Sequence, residues 1–497
     1  MKLTFKIISV ITLLSLSACK DFLEERPQGN LTQESFPLTA ADATLATNAC
    51  YNSLRNWYYH TGGYPIYDIM SDDAYKGSNP TDQANNLNPF DNFTHTTSQD
   101  GLDRWWNALY EGIKRTDVVI EKVPLIDMDE AQKANLVAQA CYLRGMFYLD
   151  LVRGFGGVPL VLDTNPPLTL GRSTEEEVYA AILADLNYAV QYLPERSALN
   201  TADYGRATRG AAKALLARLY LFRKDFVNAE KYALEVINSG EYSLDPDFGH
   251  TFSIWGQFNA ESIFEIAAQG RDGYDNGGNQ YANTQGVRGT PNRGWGFNRP
   301  SIDLQNSFEP GDPRKDATII FLGEVIDGVT ILGDGTTPNI TYADAPANTI
   351  VQEIECYNQK VWIPGTSTNE QWGHNRRVLR YADVLLMAAE ALNENGKSSQ
   401  ALTYLNQVRT RARGSSNANI LPNVTTTDQS TLRDAILKER RSELAMEGHR
   451  FWDLIRTGRA TAVLGPLGFQ AGKHELLPIP QTEIDISQGA IRQNPGW

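Results

Sequence analysis

Glu443 and Glu447 stand one helical turn apart with His449 close by, and paired carboxylates on one helix face can work as general acid and general base. Arginines fall three residues away in the pairs Arg440/Glu443 and Glu447/Arg450, and Asp453/Arg456 repeats the pattern. Opposite charges at that spacing neutralise one another and favour ionised carboxylates over a proton donor with a raised pKa. The stretch therefore reads as scaffold. The six histidines (His60, His95, His250, His374, His449, His474) form no HExxH or HxH pair, and neither a GxSxG elbow, a P-loop nor a GxGxxG opening a helix is found. Asp72, Asp73 and Asp327 are isolated acids among 59. No catalytic residue, metal ligand or cofactor is expected.

Binding chemistry is better supplied. Between Gln269 and Arg299 there are eight Gly and five Asn interleaved with Tyr274, Tyr281, Trp295 and Phe297. Flat rings on a flexible polar backbone suit a sugar: the C–H face of a pyranose stacks on Tyr or Trp, while Asn and Arg pair with its hydroxyls. Asn276, Asn279, Asn283, Asn292 and Arg293 are such groups. Trp295, between Gly294 and Gly296, is expected to keep both indole faces clear. The alternative is that these rings fill a small core beneath the lobe, Phe297 first among them.

These residues need a frame, and apolar spacing supplies it. Residues 40–57, 102–123, 129–154, 175–193, 208–223 and 227–238 repeat apolar side chains at three- and four-residue steps, the signature of packed helices. Residues 377–393 and 432–458 do the same, the latter as one long helix. Sliding 214–237 forward by 172 residues places Ala217 on Ala389, Ala229 on Ala401, Tyr232 on Tyr404 and Val236 on Val408, as in tetratricopeptide-like helical hairpins. Residues 58–101 lose this period and read as a long irregular loop, which is usually functional or mobile. Residues 261–266 and 349–357 read as strands, and Asp327-Gly328 and Asp334-Gly335 as hairpin turns. The fold class expected is mainly α: a helical-hairpin scaffold with an irregular, partly β lobe inserted.

Several stretches resemble a known family. Glu439, Arg440, Glu443, Leu444, Glu447, Gly448, Arg450, Asp453, Leu454 and Arg456, then Leu477 to Pro480, Glu483 and Ile484, and the closing Gln493 to Trp497, look like the C-terminal signature of the SusD/RagB surface nutrient-binding lipoproteins. Residues 138–161 and the RYADVLLM block from Arg380 are similar to two further blocks of that family. The resemblance implies a non-catalytic protein whose glycan site is an aromatic arc drawn from an N-terminal loop and the central lobe. It points to Tyr75 and Asn79 in the loop and to Tyr274, Asn279, Tyr281, Arg293 and Trp295 in the lobe, with Trp57, Tyr58, Tyr59, Tyr64 and Trp372 as alternatives. It also implies a partner, a SusC-like TonB-dependent outer-membrane transporter. A secreted glycoside hydrolase, or a peptide binder of the same importer family, is the competing reading.

Lys2 and Lys6 precede the apolar run 7–16, too short to span a bilayer and followed by Leu16-Ser17-Ala18-Cys19. This resembles a bacterial lipoprotein signal, with Cys19 acylated and the protein held on the outer membrane, facing the cell exterior, by lipid alone. The expected organisation is a signal peptide (1–18), a tether (19–39), an N-terminal helical scaffold (40–239) carrying the binding loop 58–101, a ligand-binding lobe (240–375) and a C-terminal helical scaffold (376–497). Composition, 41% apolar and 21% charged, is that of a globular protein, and a net charge of -14 argues against a nucleic-acid partner. Cys50, Cys141 and Cys356 imply no disulfide framework, although one Cys50–Cys356 bridge is compatible with export.

Overall fold

The computed structural model describes residues 36–59, 64–167, 169–268, 280–335, 355–364, 373–414 and 419–497. Its frame is helical. Thr39 opens the first helix, Ala40–Ser53, by a reciprocal cap in which its hydroxyl accepts from the Asp42 N–H at 3.2 Å and the Asp42 carboxylate accepts from the Thr39 N–H at 3.0 Å. Thr174 and Glu177 cap Glu175–Tyr192 in the same way. Between them run Asp100–Lys122 and Glu130–Phe155, each packed on the next. The hairpins Arg209–Phe222 with Phe226–Asn238, and Tyr381–Glu394 with Ser398–Arg413, then stack on one another. Ala217, Ala389, Ala229, Ala401, Val236 and Val408 are all buried at the crossings, and Tyr232 and Tyr404 are both half-buried beside the core. The internal repeat is thus a repeat of packing: small residues recur where helix axes must approach.

The strands are short and pair two by two. β1 (Ala74–Gly77) pairs antiparallel with β3 (Phe297–Pro300), placing Tyr75 opposite Arg299. β2 (Ser262–Ile266) pairs with β8 (Arg376–Arg380), and β4 (Ile319–Phe321) with β7 (Cys356–Asn358). The hairpin of Val325–Ile326 and Val329–Thr330 turns at Asp327 and Gly328, both at positive φ (50° and 77°), as its two-residue turn requires. Three expectations change here. The segment 58–101 is not uniformly irregular, since it carries the helices Tyr64–Ile69 and Asn88–Asp91 as well as β1. The helix expected from 377 begins at Tyr381, because the preceding residues are taken by β8. Of the strand expected over 349–357, only its end lies within the described residues.

The stretch 432–458 is two helices, Gln429–Leu444 and Arg450–Arg456. Met446 and Gly448 take positive φ (63° and 76°) and break the chain between them. The break turns Glu447 away from Arg450 and towards Arg380 and Lys360, whose Nε and Nζ donate at 2.8 and 2.7 Å. It also frees the Gly448 N–H to donate to Asp68 at 2.9 Å. Pairing is therefore long-range. Glu443 accepts from Arg314 and Arg380 at 3.2 and 3.1 Å and from Arg411; Arg440 holds Asp383 at 2.8 Å; Arg450 grips Asp72 through Nε and Nη2 at 2.7 and 2.8 Å. Only Asp453/Arg456, at 2.7 Å, keeps the local partner that the spacing suggested.

Cys50, Cys141 and Cys356 are buried free thiols. Cys50 and Cys356 donate to the carbonyls of Ala46 and Pro300, at 3.3 and 3.2 Å, so no bridge joins them. Among the described residues no helix is long and apolar enough to cross a membrane.

Candidate functional site

Trp57 sits on the turn that follows the first helix and is 39% exposed. Trp295 comes from the lobe and meets it with ring centroids 5.0 Å apart and planes inclined by 42°. The loop carrying Trp295 is closed on itself by backbone bonds. The N–H groups of Arg293 and Gly294 donate to the Val287 carbonyl at 2.8 and 2.9 Å, that of Trp295 to Asn283 at 2.7 Å, and that of Gly296 to Gly286 at 3.0 Å. The Gly296 carbonyl in turn accepts from the Ser78 N–H at 2.6 Å, tying the lobe to the N-terminal loop. Gly294 is there for contact: a Cβ on it would lie 2.4 Å from the Asn283 carbonyl oxygen. The expectation that its neighbours leave both indole faces clear is corrected, because Trp57 lies against Trp295 and the pair forms a tilted two-ring platform.

Beside the platform the Arg293 guanidinium lies 5.9 Å from the centre of the Trp362 ring, and partial burial draws its pKa below the usual arginine range. The Trp362 indole N–H donates to Asp327 at 2.7 Å, and Asn292 is exposed next to Arg293. Arg288 bridges the two halves of the surface, donating to Ser78 at 2.7 Å and pairing with Asp82 and, at 3.2 Å, with Asp334. Trp362 was not among the residues singled out from sequence; an aromatic preceding Ile363-Pro364-Gly365 was the signal available.

The remaining expected residues separate. Asn79 is at the surface, but its side-chain oxygen accepts from the Thr81 N–H and hydroxyl at 3.0 and 2.9 Å, which commits it to shaping the loop. Tyr75 is half-buried on β1; burial raises its phenol to about 12, and its hydroxyl is engaged by the backbone of Ile302. Tyr281 is corrected to a core residue, 8% exposed against Ala282, Val361 and Ile363, with the Arg376 guanidinium 5.6 Å from its ring. Tyr59 is buried and donates to Asp150 at 3.3 Å, and Tyr58 lies under Arg104 at 4.7 Å. Phe297 is buried in β3. Tyr274, Asn279 and Trp372 lie outside the described residues.

The carboxylates are occupied. Asp72 and Asp73 receive Arg450 and Arg441 at 2.7 Å each. Burial pushes Glu443 upward, but Arg411, Arg380, Arg314 and Lys360 together hold it below the usual carboxylate range, and Arg380 and Lys360 do the same for Glu447 against its burial. Both glutamates are ionised structural anchors, not proton donors. No cluster of three metal-ligating side chains occurs among the described residues. What this surface can do is stack a flat apolar face and pair with its polar edge.

Known proteins share this fold. A family model described as "SusD family" matches residues 260–475, and one described as "Starch-binding associating with outer membrane" matches 21–221. A SusD-like protein P2 from Formosa agariphila is 31% identical, covering 99% of both chains. Among solved structures, a laminarin-binding SusD-like protein is 30% identical with a TM-score of 0.77, covering 93% of this chain and all of its own. A surface glycan-binding protein A from Bacteroides thetaiotaomicron, in complex with laminarihexaose, is 27% identical with a TM-score of 0.76, covering 92% and 99% of the two chains. With the helical-hairpin frame, the inserted lobe and similarity along nearly its whole length, this chain belongs to the SusD family.

Proposed function

We propose that the protein captures an oligosaccharide at the outer surface of the cell and passes it, unhydrolysed, to a SusC-like TonB-dependent transporter. The observation that carries the reading is the Trp57–Trp295 pair, an exposed and a half-buried indole locked at 5.0 Å beside Arg293 and Asn292. Indoles held by backbone bonds lose little freedom on binding, and their neighbouring amide and guanidinium groups match sugar hydroxyls. Two relatives named for laminarin or crystallised with laminarihexaose make a laminarin-type glucan the first ligand to try. Trp295, Trp57 and Arg293 are proposed as direct contacts, with Tyr274 and Asn279 contributing from beyond the described residues and Asn79 and Tyr75 holding the loop. Acylation at Cys19 is proposed as the only membrane anchor.

The test is calorimetric titration of laminarin oligosaccharides and a panel of unrelated glycans, with reducing ends assayed in the same samples. Saturable binding to one glycan class with no new reducing ends supports capture. Release of reducing ends would favour the hydrolase reading, and binding to none of the panel would contradict a glycan ligand.

A further inference from the structure

A cleft opens beside the residues that lead from the first helix to Trp57. It has a volume of about 270 Å³ and lies between the end of the first helix, the turn around Tyr204 and the end of β2. Asn48, Tyr51, Asn52, Arg55, Tyr204 and Arg206 are the lining residues that matter. Tyr51 is fixed in place: its hydroxyl donates to Gln139 at 3.0 Å and accepts from the Ala207 N–H at 2.9 Å. Arg206 is equally held, donating to Asp203, Gln139 and the side-chain oxygen of Asn48 at 3.0, 3.1 and 2.9 Å, with its guanidinium 5.7 Å from the centre of the Tyr51 ring. Because the Asn48 oxygen is taken by Arg206, its amide NH₂ is the group left to donate. Tyr204 is 39% exposed and is braced by Phe258, ring centroids 5.9 Å apart.

A braced surface tyrosine, exposed Asn48 and Asn52 amides and guanidinium groups on a preorganised wall repeat the chemistry of the Trp57–Trp295 surface. The two are close along the chain. Arg55 lines the cleft and Trp57 stands two residues on, a chain separation of at most about 7 Å. A volume near the lower end of small-molecule pockets, about 300 Å³, admits a sugar residue or two but no folded partner.

We infer that this cleft is a second carbohydrate subsite, occupied by the continuation of a glycan chain whose first residues lie on Trp57 and Trp295, so that the protein selects extended chains over short ones. The inference rests on the glycan-binding reading above and adds a length requirement to it. Neither Tyr204 nor Asn52 belongs to the hydrophobic core, so their substitution is expected to leave the fold intact.

The test uses the full chain, with laminaritriose and laminarihexaose as probes, in calorimetric titrations of wild type, Tyr204→Ala, Asn52→Ala and Trp57→Ala, with melting temperature recorded for each. Tyr204→Ala and Asn52→Ala are expected to weaken the hexasaccharide by about two- to tenfold, the range of one stacking or hydrogen-bonding contact, and to leave the trisaccharide unchanged. Trp57→Ala is expected to weaken both. Unchanged hexasaccharide affinity in both cleft variants, or equal weakening of the two sugars, would overturn the subsite while leaving glycan binding at the tryptophan pair intact. Failure of the wild-type protein to bind either sugar would overturn the underlying reading and the subsite with it.

Discussion

Trp57 and Trp295 come from the turn after the first helix and from the central lobe, yet their rings meet with centroids 5.0 Å apart. The lobe that carries Trp295 is joined to the N-terminal loop by the β1–β3 pairing and by the Ser78 N–H, which reaches the Gly296 carbonyl at 2.6 Å. Sugar recognition is thus proposed to sit where two distant chain segments are sewn together, and a buried charged network joins that seam to the C-terminal helices.

Glu443 is the centre of that network, fully buried between Arg411, Arg380 and Arg314. Glu443→Gln leaves three guanidinium groups short of a counter-charge in the interior. Removing one partner from a buried ion cluster costs about 3 to 5 kcal/mol, so denaturant unfolding is expected to show a loss of that order. This replaces the modest effect that local i,i+3 pairing would imply. A change under about 1 kcal/mol would show that the cluster contributes as weakly as a surface pair.

Stability is expected to fall steeply once the solution is acidified below about pH 4. Burial lowers His95, His374 and His449 to about 3 and His474 to about 4, so the unfolded chain takes up their protons from about pH 6.5 downward while the folded chain does not. Asp68 and Asp117, raised by burial to about 7, and Asp73, Asp150, Asp185, Glu324 and Glu483, raised by the same cause, oppose this above about pH 4, so the two sets offset one another there. Below about pH 4 the arginine-held carboxylates Glu443 and Asp453, lowered to about 2 despite burial, add a steeper loss in the same direction. Melting temperatures at fixed ionic strength would check this. Rising stability as the pH falls from about 4 to 2 would contradict it.

Gly294→Ala places a methyl group within 2.4 Å of the Asn283 carbonyl oxygen, so the loop must shift and carry Trp295 with it. Affinity for the cognate oligosaccharide is expected to fall by about tenfold, with little change in melting temperature, because the loop lies outside the main core. Full affinity in this variant would mean that the position of Trp295 is not what the ligand reads.

Cys19→Ala is expected to abolish acylation and to release the protein into the soluble fraction of cells that lack the transporter. Retention in the outer membrane under those conditions would rule out Cys19 as the anchor.

The helical frame was legible because 3.6-residue periodicity survives in segments such as Tyr381–Glu394, and the Ala217/Ala389 register survives as matched burial. Arg376–Arg380 was not legible as a strand: RRVLR runs without a breaker into the helix, and only its partner Ser262–Ile266 makes it extended. The break at Met446–Gly448 had one signal, Gly448, and the reason for the break lies in Arg380, Lys360 and Asp68, all remote in sequence. In the candidate site, the content of the lobe pointed to Trp295 and Arg293, whereas the pairing with Trp57 and the burial of Tyr281 against Val361 and Ile363 are tertiary facts that no local spacing encodes.

The central claim is that the Trp57–Trp295 platform holds the sugar, and calorimetric titration of laminarihexaose into wild type, Trp57→Ala and Trp295→Ala tests it most directly. Each substitution removes a stacking contact worth about 0.5 to 1.5 kcal/mol together with the apolar area it covers, about 2 kcal/mol in all or tens of fold in affinity. That loss is expected in both variants, with the melting temperature of Trp57→Ala preserved. Wild-type affinity in two folded variants would contradict it.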